Sequence, residues 1–292
     1  MDLQASVIIP TFEDWNGLQI CLDCLARQTA DPAVFEVIVA NNNASPDLPP
    51  SLRLAPNARV IHVPKPGSYA ARNAAILDAR ADILFFTDSD CLPDSRWIEA
   101  GLAAISPLPE LDMVAGAIEL FSPGERWSAT ELYNRIHYLQ QADYAAEGWC
   151  ATANLLVRRV AFDRYGPFNE SRFSGADKEW TENATNLGSR LHYRDEVVIR
   201  HPVRTDFKAL AKMRRRHIGG AHHAEQQGLR PRRPLLSYMG FVSRSRLVKT
   251  LNYPDLTEAQ RFKVMCVDIL LSMIAFTEVV RLRYLRGKPS RA

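Results

Sequence analysis

Within the first 90 residues, three short apolar runs lack any polar alternation: SVIIP at 6–10, FEVIVA at 35–40 and ILFFT at 83–87. A strand with one solvated face alternates apolar and polar residues, so unbroken runs of this length belong to a sheet covered on both faces. Between them the period changes. Leu18, Cys21, Leu22 and Leu25 recur at helical spacing over 17–28, residues 69–80 read as a second helix, and 59–63 adds a strand. This βαβαβ order predicts a Rossmann-like α/β domain whose sheet is mostly parallel and covered by helices. Ligands of such sheets bind beyond the carboxyl ends of the strands. Asn41 and Asp88 each follow a strand directly and are therefore expected at one crevice.

The rest of the chain reads differently. Residues 113–120 predict a strand, 129–142 and 177–187 helices, and everything beyond His201 is helical and basic. The boundary falls near 205, giving an α/β domain over 1–205 and a basic helical region over 206–292. Charge follows the same division: residues 1–120 carry 16 acids against 7 bases, whereas 204–233 carry 9 Lys/Arg against 2 acids. A basic second part points to phosphate groups or an anionic membrane surface as partners. Nucleic acid is not expected, because the bases lack interleaved aromatics and any nucleic-acid motif.

The start of the chain enters a strand without the basic and apolar regions of a signal peptide. Residues 255–285 predict a long terminal helix, but Asp268 and Glu278 interrupt its apolar core, so a buried or surface-lying helix is expected rather than a span. The five cysteines are scattered and odd in number, as in a reducing cytoplasm. Cys21 and Cys24 form a C-x-x-C, yet no second ligand pair follows, and their helical spacing reads as packing.

Asp88-Ser89-Asp90 leaves the end of the apolar run ILFFT. Two carboxylates emerging together from a buried strand are costly unless a cation joins them, and hard oxygen donors suit Mg²⁺ or Mn²⁺. A solvated loop with helix-capping acids is the plainer alternative.

The surrounding motifs occur in a telling order. SVIIPTFED, CLDCLARQ, EVIVANNNAS, PGSYAARNAAI and FFTDSDC are followed by ATANLLVRR, YGPFNE, FSGADKEW and VVIRHP. In this succession the chain resembles the family 2 glycosyltransferases over roughly residues 5–205. The resemblance implies the GT-A fold, a nucleotide-sugar donor and a metal-binding acid pair. It implies that Pro10, Thr11, Glu13, Asn41, Arg72, Asp88, Ser89 and Asp90 serve the donor, and that Asp88, Asp90 and His201 hold the metal. Asn41 departs from the family, which usually has Asp there. An amide still pairs with a uracil edge through its carbonyl, so UDP-sugars remain the expected donors while the base is less firmly specified. Arg72 either meets the diphosphate or supports the acidic loop.

On the same resemblance Asp177 is the general base of an inverting transfer, taking the proton of the acceptor hydroxyl; capping a helix is its other reading. Asn154, Glu179 and Trp180 are expected to face the acceptor, although Trp180 also reads as core. The basic run from Lys208 to His217, ending at Gly219-Gly220, implies either a mobile loop over the diphosphate, a solvated helix face or a membrane attachment. The expected function is transfer of a sugar to a hydroxyl of a glycan or lipid-linked acceptor, in polysaccharide or glycolipid synthesis. The expected place is the cytoplasm, at the inner face of the cell membrane where that attachment forms. A catalytically degenerate, nucleotide-sugar-binding subunit of a synthesis complex is the alternative.

Overall fold

The computed structural model describes residues 2–124, 126–172, 174–239, 244–285 and 287. Its first part runs β1 (Ala5–Thr11), α1 (Trp15–Leu25), β2 (Phe35–Asn41), β3 (Ala58–His62), α2 (Ser68–Asp78), β4 (Ile83–Phe86), β5 (Leu92–Pro93), α3 (Trp97–Ile105) and β6 (Met113–Phe121). Then follow α4 (Ala129–His137), α5 (Gln141–Ala146), β7 (Leu155–Arg158), α6 (Arg159–Tyr165), α7 (Ala176–Asn186) and β8 (Leu191–Pro202). The chain closes with α8 (Phe207–Gln226), α9 (Leu236–Met239), α10 (Arg244–Asn252) and α11 (Glu258–Tyr284).

The sheet is mixed, in the order β3-β2-β1-β4-β7-β6-β8-β5. Its β3-β2-β1-β4 half is parallel, and every residue of β1 and β2 is buried, as unbroken apolar runs require. From β7 onward the pairings described are antiparallel. Two of them matter for function. Phe86, the last residue of β4, pairs with Leu155, the first of β7, so the turn ahead of β7 lies beside the exit of β4. Leu92 pairs with Arg200, which brings His201 level with the residues after β4.

Contacts divide the chain into two compact units. The first comprises 1–119, 140–170 and 176–201; the second comprises 120–139, 171–175 and 202–292. The core of the first gathers Phe86, Phe162, Phe168 and Trp180 with Tyr69. In the second, α4, α8 and α11 supply Leu132, Tyr133, Ile136, Leu210, Met213, Val264 and Leu271 to one cluster.

Two expectations need revision. The helix expected over 129–142 is two helices, because Tyr138 is extended and Leu139 takes a left-handed φ of 52°. Gly219 and Gly220 do not form a mobile loop; they lie buried inside α8. A Cβ on Gly220 would come within 3.0 Å of the Ser174 carbonyl oxygen, so glycine there admits a backbone approach. Two acids of the terminal helix are internal: Asp268 accepts from Tyr133 Oη at 3.0 Å and pairs with Arg246, and Glu278 pairs with Arg281. Among the described residues no helix is long and apolar enough to cross a membrane.

Candidate active site

Three strand ends converge. Thr11 and Asn41 end neighbouring strands in register, and Asp88-Ser89-Asp90 follows β4 on the other side of β1. Ligand atoms of Asp88, Asp90, Cys91 and His201 all lie within 4.8 Å of one another, with His201 Nε2 3.6 Å from Asp90 Oδ1. Cys91 is fully buried, and burial followed by the charges of Asp88 and Asp90 pushes its thiol well above the ordinary range. The two carboxylates and the imidazole of this group are its oxygen and nitrogen donors. Such an O/N donor set fits Mn²⁺ or Mg²⁺ better than a thiolate-seeking ion. At the end of β1, Thr11 Oγ1 is buried without a hydrogen bond, and buried hydroxyls rarely go unpartnered except where a ligand or ion completes them.

Helix α2 organises much of this region. Arg72, itself buried, donates to Asp88 Oδ1 at 2.5 Å, so of its two expected roles the structure displays support of the acidic loop. Asn73 grips the 168–170 segment, donating to Phe168 O and Glu170 Oε1 and accepting from Phe168 N. Tyr69, one turn before Arg72, donates to Asp177 Oδ1 at 2.9 Å. Burial, then the Asp177 charge, pushes the Tyr69 hydroxyl far above its ordinary value, so it stays protonated as the donor. The Arg72 guanidinium lies 5.5 Å from the centroid of the same ring. Positions i and i+3 share a helix face, and that spacing is the sequence signal that could have singled out Tyr69.

Asp177 opens α7 and also takes a contact from the Thr152 amide at 3.4 Å. Its neighbour Lys178 lies over the Trp149 ring at 4.0 Å, which fixes the first turn of the helix. Ahead of α2, Asn42 accepts from Gly67 N and donates to the carbonyls of Val63 and Lys65. Gly67 has φ 127°, a conformation suited to glycine.

The remaining expected residues divide. Pro10 lies in β1, paired with Ala40. Glu13 is exposed, with φ 54°, and its amide donates to Asn43 Oδ1. Asn41 is buried and spends its amide locally: Oδ1 accepts twice from Asn43 and Nδ2 reaches Ser45 O. Ser89 donates to Asp14 Oδ2 at 3.2 Å, while Asp14 also caps α1 through Gly17 N; this tie between the acidic loop and the β1–α1 loop escaped the sequence reading. Glu179 accepts from Asn169.

Two of the residues expected at the acceptor are spent inside the fold. Asn154 is fully buried: it accepts from Trp97 Nε1 and donates to the carbonyls of Ala117 and Val197. Trp180 is core, stacked on Phe162 at 4.3 Å with its Nε1 on Gly166 O, so it offers no platform for a sugar.

A parallel half-sheet with an acid pair leaving β4, closed by antiparallel strands, defines a GT-A-like molecule, and solved structures bear this out. The mannosyltransferase PcManGT of Pyrobaculum calidifontis, in complex with GDP-Man and Mn²⁺, superposes with a TM-score of 0.62 at 14% identity, covering 98% of this chain and 89% of that one. S. aureus TarS 1-349 in complex with UDP-GlcNAc gives 0.53 at 19% identity, covering 97% and 76%. At these identities the likeness concerns the fold. Sequence carries further: the model of glycosyl transferase family 2 matches residues 6–166. Glycosyltransferase AglE of Haloferax volcanii is 33% identical over 213 residues, 71% of this chain and 69% of its own length. The pre-mycofactocin glycosyltransferase of Mycobacterium tuberculosis is 28% identical over 158 residues, 51% of this chain but only 33% of that relative. The chain therefore belongs to glycosyl transferase family 2 and is a glycosyltransferase.

Proposed function

We propose that the protein transfers a sugar, with inversion, from a nucleotide-sugar donor to a hydroxyl of a glycan or lipid-linked acceptor. The observation that carries this reading is the double grip of α2, which holds Asp88 of the metal-ligating cluster through Arg72 and Asp177 through Tyr69. Asp177 takes the proton as the acceptor oxygen forms its bond to the anomeric carbon. The bond from that carbon to the diphosphate breaks on the opposite face, and its electron pair leaves with the nucleoside diphosphate. Tyr69 aims the carboxylate, and Arg72 keeps Asp88 in place.

Asp88, Asp90 and His201 would hold the divalent ion, Mn²⁺ or Mg²⁺, which supplies charge neutralisation on the leaving diphosphate. Thr11, Glu13 and the Asn41 loop line the donor's nucleoside, with UDP-sugars as the first candidates. PcManGT was solved with GDP-Man and TarS with UDP-GlcNAc, so the neighbours support a nucleotide sugar without selecting its base. Asn154 enters as a positioning residue and Glu179 as an acceptor contact. Residues 1–205 serve as the catalytic domain and 206–292 as a basic helical region that completes it. We place the reaction in the cytoplasm, at the inner face of the cell membrane, in polysaccharide or glycolipid synthesis, on the strength of the basic C-terminal third.

The test is a donor screen with Mn²⁺ or Mg²⁺, read as nucleoside diphosphate release with and without acceptor. Asp177→Asn is expected to lower turnover by about 10²–10⁴-fold while leaving donor affinity within about threefold. Full turnover in that variant would remove Asp177 from the base role.

A further inference from the structure

Helix α11 is apolar on two faces. One packs inward through Val264, Val267, Leu271, Ala275, Val279 and Leu282. The other is the row spaced by three and four residues from 259 to 284. It carries Phe262, Ile269, Leu270, Met273, Val280 and Tyr284, without a charged residue among its positions. Phe262 is 67% exposed, Met273 53% and Tyr284 59%. At 1.5 Å per residue the row is about 38 Å long. An exposed apolar strip of that length marks an interaction surface.

Charge says what covers it. Residues 202–292 hold 19 Lys/Arg against 6 Asp/Glu. Three of those acids, Glu225, Asp268 and Glu278, have side chains at most 4% exposed and are ion-paired with Arg283, Arg246 and Arg281. The cations therefore dominate the surface. Lys263 is exposed at the edge of the strip, and on α10, which packs against α11, Arg244 accompanies the exposed Val248 and Leu251. Two copies meeting through this face would bring like charges together, whereas an anionic bilayer supplies the opposite charge and an apolar interior. Asp268 and Glu278 of α11 point inward, and the exposed acids Asp255 and Glu258 stand only at the N-terminal end of the strip.

We infer that the outer face of α11, with the adjoining edge of α10, is the surface on which this protein lies against an anionic membrane, its apolar row sunk among the acyl chains and its cations among the headgroups. The helix lies in the plane of the interface and does not span. The inference is independent of the catalytic assignment, since neither Asp177 nor the metal-ligating cluster takes part.

The test uses the full chain and vesicles of phosphatidylcholine, alone or with about 30% phosphatidylglycerol. Flotation is expected with the anionic vesicles and to be at least tenfold weaker, on the order of the loss of two apolar anchors, for Phe262→Asp/Met273→Asp. Both side chains are exposed, so the melting temperature and donor turnover in solution should be retained. In a second measurement, Phe262→Trp is expected to shift its emission to the blue on adding anionic vesicles only. Absence of flotation, flotation undiminished in the double variant, or an unshifted tryptophan would overturn the inference. So would a dimer that the double variant dissolves, because a second copy would then be the occupant.

Discussion

Tyr69 and Arg72 stand one turn apart, and each holds a different carboxylate. The Tyr69 hydroxyl is kept protonated by burial and by the charge it serves, so it orients Asp177 without competing as a base. Tyr69→Phe is expected to lower turnover about tenfold, the usual scale for losing an orienting partner, with nucleoside diphosphate affinity unchanged. A loss of affinity equal to the loss of turnover would mean that Tyr69 serves the donor instead. At this scale the sequence was legible where a residue type names its chemistry: Asp88, Asp90 and His201 do lie together. It was not legible where a side chain's use depends on its neighbours. Asn154 and Trp180 looked available for substrate, and both are spent on internal hydrogen bonds that only the antiparallel closure and the Phe162–Phe168 cluster create.

Elements are tied together by a second buried carboxylate. Glu36 of β2 accepts from Ser6 of β1 at 2.7 Å and from the Arg80 amide past the end of α2 at 2.7 Å, and it pairs with Arg59 of β3. Burial alone would raise its pKa, but these partners outweigh it and hold it at about 2 against an ordinary 4.5. The folded pKa is depressed, so the stabilisation is complete above pH 4.5 and fades as pH falls toward 2. Glu36→Gln should therefore melt lower at neutral pH and lose part of the acid-induced drop in melting temperature over that window. A drop as steep as in the parent protein would mean that other groups govern it. The strands Glu36 joins were readable from their unbroken apolar runs. The break between α4 and α5 was not, since a left-handed Leu139 leaves no mark in hydrophobic spacing.

Across the whole molecule the two units carry different titrations. In the helical unit, burial first and neighbouring arginines second hold His217 down at about 3, and burial holds His137 at about 4, against an ordinary 6.5. The unfolded chain takes up these protons first, so stability should decline from about pH 6.5 downward, well before the Glu36 window opens. His137→Gln/His217→Gln is expected to flatten the melting temperature between pH 6.5 and 4, and an unaltered slope would contradict that cause. Family membership places the whole on a glycosyltransferase scaffold, and the decisive quantity is the binding of the cation proposed for the end of β4. Calorimetric titration of UDP and GDP, with and without Mn²⁺, into the parent protein and Asp90→Ala measures it directly. Metal-dependent binding of one of them, weakened at least about tenfold in the variant, is the result predicted for a ligand that contributes charge-assisted contacts. Equal affinity in both proteins, or binding indifferent to the metal, would contradict the account.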